Sequence, residues 1–146
     1  MSTLYRALLI IGALLVVHSP CIHAQDAEKP THVLSDCESA DSWSGGESDT
    51  VIMQEGAASI RWAHGSSANL SLRDVPTDWS MYNHMSLWLH SEKATGTRFL
   101  LYVGSENKAT TGSDYYSRTF KLDFVGWRKY QFFLSDLGKA REPLGW

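Results

Sequence analysis

The imidazole, thiol and carboxylate side chains that could move a proton or hold a metal in residues 25–146 are four histidines, one cysteine and a scatter of acids. The histidines His32, His64, His84 and His90 fall in separate segments. His84 and His90 share one face of an alternating stretch, but six residues of extended chain at ~3.3 Å each set them about 20 Å apart, too far for one ion. No Gly-x-Ser-x-Gly elbow, phosphate-cradling Gly-Lys-Ser/Thr loop or His-Glu-x-x-His pattern is present. Spacing gives no reason to pair any two loop carboxylates as acid and base. Cys37, in Val33-Leu34-Ser35-Asp36-Cys37-Glu38, reads as a buried small hydrophobe rather than a nucleophile. A complete small enzyme is therefore the least supported class.

Aromatic residues carry more information. Trp43, Trp62, Trp79, Trp88, Trp127 and Trp146 accompany Tyr82, Tyr102, Tyr115, Tyr116 and Tyr130 in a short chain. Rings on a rigid sheet or loop offer flat apolar platforms with a polar rim, and the apolar C–H faces and hydroxyl edges of sugars fit them. Trp88 and Trp127 sit inside strand patterns and read as core. Trp43, Trp79, Tyr82, Tyr115 and Tyr116 lie in or beside loops, where binding residues concentrate. The candidate sugar contacts are Trp79, Tyr82, Tyr115 and Tyr116. Arg98 and Arg118 are the candidate partners for carboxylates or sulfates on an acidic polymer, since guanidinium pairs such groups in fork geometry.

The elements expected to position them are strands. Val75–Ser91 is the organising stretch: Pro76, Asp78 and Asn83 mark a turn, and Met85, Leu87 and Leu89 then alternate with Ser86, Trp88 and His90. A strand apolar on both faces belongs in the middle of a sheet. Further strands are expected over 33–38, 50–54, 58–64, 69–73, 97–105, 117–124 and 127–134, with 39–49 a loop. Val125-Gly126 reads as a tight hairpin turn. Residues 135–146 read as irregular, with at most one helical turn over 137–141. Short strands separated by turn residues indicate an all-β fold, a two-sheet sandwich or barrel.

Charge and leader narrow the class. Residues 1–24 have the layout of a secretory signal peptide: Arg6, an apolar run from Ala7 to Val17, Pro20, and cleavage expected after Ala24. The run is shorter than the ~20 residues a membrane span needs, which disfavours an uncleaved anchor. A lipoprotein site at Cys21 is disfavoured by Pro20 where a small residue is expected. Residues 25–32 read as a loose lead-in and 33–146 as one domain, secreted or periplasmic. The net charge of −3 at pH 7 becomes −4 once Arg6 is lost, so a nucleic-acid partner is not expected, and neither is a membrane after cleavage. Cys37 then stands alone, without a disulfide framework.

The motifs, taken in order, also carry a resemblance. Asp36-Cys37-Glu38 with Trp43, Glu55-Gly56-x-x-Ser59-x-x-Trp62, Asp78-Trp79-Ser80-x-Tyr82 and Leu87-Trp88-Leu89-x-Ser91 form the first half. Ser105-Glu106-Asn107, Asp114-Tyr115-Tyr116, Asp123-Phe124-x-Gly126-Trp127 and Pro143-Leu144-Gly145-Trp146 form the second. Together they resemble the carbohydrate-binding-module-like jelly-roll domain at the N-terminus of heparinase II/III-like polysaccharide lyases and related secreted bacterial glycan enzymes.

The resemblance implies a galactose-binding-like jelly roll, accessory to catalysis and not itself catalytic. It implies no required cofactor; jelly rolls of this type often hold a structural calcium near the first strand, for which Glu38 and Glu55 are the candidate ligands. Two departures stand out. Cys37 occupies a position usually aromatic, and such domains continue past the Gly-Trp into a last strand and a catalytic region. The lack of that strand predicts an open sheet edge and self-association through it. The expected function is a secreted carbohydrate-binding domain; the alternative is a structural module that packs on a partner without touching sugar.

Overall fold

The computed structural model describes residues 30–146. The expected signal peptide, and the lead-in up to residue 29, lie outside the described residues. Nine strands form among the described residues: β1 (Trp43–Ser44), β2 (Glu47–Asp49), β3 (Ser59–Arg61), β4 (Ser71–Leu72), β5 (His84–Ser91), β6 (Arg98–Gly104), β7 (Tyr115–Lys121), β8 (Gly126–Phe133) and β9 (Gly138–Ala140). The one helical piece among them is a 3₁₀ turn at Leu134–Asp136. The fold is all-β, as the period-two patterning predicts.

The ladders are small and antiparallel: β1 with β4, β2 with β3, β5 with β8, and a three-stranded sheet in the order β6-β7-β9. Met85, Leu87 and Leu89 of β5 and Phe132 of β8 turn to one core, as do Tyr116 and Phe120 of β7. The two larger ladders meet there: the Phe120 ring lies 4.7 Å from Tyr130 and 5.8 Å from Phe132. Phe99, Leu101 and Val103 of β6 pack against the same cluster. That leaves the other face of β6 and β7 pointing outward.

Several expected elements differ. No strand forms over 33–38, where isolated bridges stand at Thr31 and Ser35. The Ser35 hydroxyl instead accepts from Cys37 N–H, and the Asp36 carboxylate accepts from Glu38 N–H, both at 3.1 Å. Such local side-chain bonds compete with a ladder, and Cys37 takes a left-handed φ of 63°. Cys37 is buried, as its composition context suggested.

Residues 50–54 likewise form no strand, because Asp49 accepts from the N–H groups of Val51 (2.8 Å) and Ile52 (3.1 Å) and turns the chain. The loop expected at 39–49 contains β1 and β2 instead. β5 is covered on both faces, with Leu89 and Ser86 both buried, but it pairs with β8 alone rather than sitting mid-sheet. Val125-Gly126 is no hairpin. Both edges of β7 are taken, by β6 and β9, so the chain crosses to β5 to find a free edge for β8. The tail expected to be irregular supplies β9.

Candidate functional site

Alternation along β6 puts Arg98, Leu100, Tyr102 and Gly104 on the outward face. The β6–β7 register sets Arg98 opposite Lys121, Leu100 opposite Thr119, Tyr102 opposite Ser117 and Gly104 opposite Tyr115. Leu100 is 51% exposed and Tyr102 47%. The Tyr102 and Tyr115 rings lie diagonally across the ladder, centroids 4.5 Å apart and tilted by 34°. Gly104 gives the pair room: a Cβ there would stand a tight 3.3 Å from Cε1 of Tyr102. The ring therefore lies down over bare backbone instead of standing into solvent. The result is a two-ring apolar platform, rimmed by Ser117 and Thr119, with two cations at its far end.

The six residues singled out for sugar contact do not come together. Arg98 and Tyr115 share the outward face. Arg118 is on the opposite one: its guanidinium sits 4.8 Å over the Phe132 ring and 3.9 Å from the Asp136 carboxylate. Trp79 is only 8% exposed and donates from Nε1 to the Pro76 carbonyl at 2.6 Å. Tyr116 is 4% exposed and donates its hydroxyl to the Leu144 carbonyl at 2.8 Å. Tyr82 is half-buried against the core, its ring 6.3 Å from His32. Trp79 and Tyr116 are thus packing residues, and Tyr82 lies half-buried away from the Tyr102–Tyr115 pair. Tyr102 and Lys121 are the platform residues that loop position concealed; the alternation of Arg98, Leu100 and Tyr102 against Phe99, Leu101 and Val103 was their signal.

Glu38 accepts the Ala57 N–H with both carboxylate oxygens, at 3.2 and 2.9 Å. Gly56, with φ of 70°, permits that approach, since a Cβ there would collide with the carboxylate. Glu55 is exposed. Among the described residues no group of three or more His, Cys, Asp or Glu is gathered as a metal site. The histidines remain apart: His84 packs on Phe133, His90 on Trp127 and His64 on Trp62. Burial lowers the His90 pKa below the usual imidazole range, and its Nδ1 has no hydrogen-bond partner.

Asp114 is the charged group that sequence reasoning passed over. It is fully buried beside the platform, one residue before Tyr115. Its carboxylate accepts from the Thr110 hydroxyl, from Glu142 N–H at 3.0 Å and from Asn107 N–H at 3.2 Å. The Thr110 hydroxyl, then the Glu142 and Asn107 amides and the Arg141 charge, hold its pKa below the usual carboxylate range against the opposing cost of burial. Asp114 thereby ties the 105–114 loop to the 141–146 segment, behind the strand that carries Tyr115.

No known protein family, curated protein or solved structure matches the chain.

Proposed function

We propose that the chain is a secreted, non-catalytic carbohydrate-binding domain of jelly-roll type, accessory to the degradation of an extracellular polysaccharide. The observation that carries this reading is the ring pair of exposed Tyr102 and half-buried Tyr115 on the outward sheet face, with Arg98 and Lys121 at one end. Neighbouring aromatic rings take the C–H face of a sugar, the hydroxyls of Ser117 and Thr119 lie within the same face, and the two cations suit an acidic polymer. Covering one ring with a sugar contributes on the order of 1–2 kcal/mol.

Affinity electrophoresis through gels containing acidic or neutral polysaccharides tests the reading. Tyr102→Ala and Tyr115→Ala should each reduce retention several-fold and leave the melting temperature within a few degrees. Trp79→Ala should lower the melting temperature instead. Retention unchanged in both tyrosine variants, across gels that retain the parent protein, would remove the platform from the binding surface.

A further inference from the structure

Among the described residues β6 has an edge without a partner. Ser105 N–H donates to the Asp114 carbonyl at one end of the β6–β7 ladder, and Leu122 N–H donates to the Thr97 carbonyl at the other. The odd-numbered residues of β6 therefore turn their backbone groups toward β7. By antiparallel alternation, the N–H and C=O groups of Arg98, Leu100, Tyr102 and Gly104 face the opposite edge. No described residue pairs with them there, since β6 ends the sheet order. Proteins blunt such edges with proline, bulges, lysines or very short strands. β6 runs seven residues with no proline and no lysine, and carries exposed Leu100 and Tyr102 along its length.

From this edge we infer that β6 pairs antiparallel with β6 of a second copy, about a two-fold axis through Tyr102. That register sets Tyr102 opposite its own mate, Leu100 opposite Gly104 of the second copy, and Arg98 opposite Glu106 of the second copy. Each unlike pair occurs twice, so charge is answered at both ends of the seam. Glu106 is exposed, and its carboxylate accepts from Asp114 N–H only at a long 3.5 Å, so it can turn to a new partner. An axis through Leu101 would instead put Arg98 opposite Gly104 and leave both charges unanswered. The contact is isologous and closes on itself, consuming the β6 edge of both copies and leaving the short β9 strands at the ends of the joined sheet. Two three-stranded sheets become one of six strands, and the two tyrosine pairs become a row of four rings across it. On the sugar-binding reading that row lengthens the platform, whereas the pairing itself does not depend on sugar.

The test is run without any polysaccharide, so its failure leaves the platform reading standing. Sedimentation of the protein across a concentration series should show monomer passing to dimer. Arg98→Glu, which sets two acids against each other at each end, should weaken the dimer about tenfold or more. Adding Glu106→Arg to that variant should restore it. Independently, Tyr102→Cys should give a disulfide-linked dimer on mild oxidation, because a hydrogen-bonded pair places its Cα atoms about 5.5 Å apart, within disulfide range. Leu101→Cys should not. A parent protein that stays monomeric, a dimer indifferent to Arg98→Glu, an unrestored charge swap or preferential cross-linking at position 101 would each overturn the inference.

Discussion

Asp114 shows what one buried charge does here. Its carboxylate gathers three donors, one from a side chain and two from backbone, and each favours the ionised form. Because the folded pKa is depressed, its stabilising contribution is complete above the unfolded value of about 3.9. It is lost as pH falls through the lower folded value. Thermal melts from pH 7 downward should therefore lose stability below pH ~4. Asp114→Asn should start with a lower melting temperature at pH 7 and show a shallower acid slope. An unaltered slope would mean that another carboxylate governs acid unfolding, Asp49 being the other buried one with a lowered pKa. Glu38 supplies a contrasting case, since its charge is spent on the Ala57 N–H. Chelation with EDTA should accordingly leave the melting curve in place. A fall reversed by calcium would return Glu38 and Glu55 to the role of ion ligands.

At the scale of elements, hydrogen exchange should resolve the two edges of β6. In dilute protein the amides of Phe99, Leu101 and Val103 should be protected, and those of Arg98, Leu100 and Tyr102 should exchange quickly. Uniform protection at low concentration would place another strand on that edge. The longer strands were legible in the sequence because apolar and aromatic residues gather there between polar breaks: β5, β6 and β8 fall over Met85–Ser91, Phe99–Val103 and Trp127–Phe133. The N-terminal third was not. There Ser35, Asp36 and Asp49 bond their own backbone and win over β propensity within two or three residues, a competition that periodicity does not register. Which strand pairs with which was also hidden, since the Val125-Gly126 turn has hairpin chemistry although β7 has no free edge to offer β8. The platform was half visible. Tyr115 and Arg98 were named, while Tyr102 needed the cross-strand register, and Trp79 and Tyr116 needed the fold to show them buried.

At the scale of the whole molecule, residues 141–146 lock the two halves of the core. The Trp146 ring stacks on Tyr116 at 4.0 Å and on Trp79 at 6.0 Å, joining the turn before β5 to β7. The same segment is held from the other side by Asp114 through Glu142 N–H, and by the Leu144 carbonyl, which accepts from Ser105 and Tyr116. Trp146 is half-buried, so its removal should cost less than a fully buried ring, about 2 kcal/mol. For a domain of this size that is a fall of roughly 8 °C in melting temperature. Trp146→Ala and Asp114→Asn act on one six-residue segment, and once either has released it the other has less left to lose. The double variant should therefore be less destabilised than the sum of the singles. Denaturant melts of the four proteins measure the difference. Strict additivity would mean that ring stack and carboxylate hold independent parts of the chain, and that the segment is no lock between them.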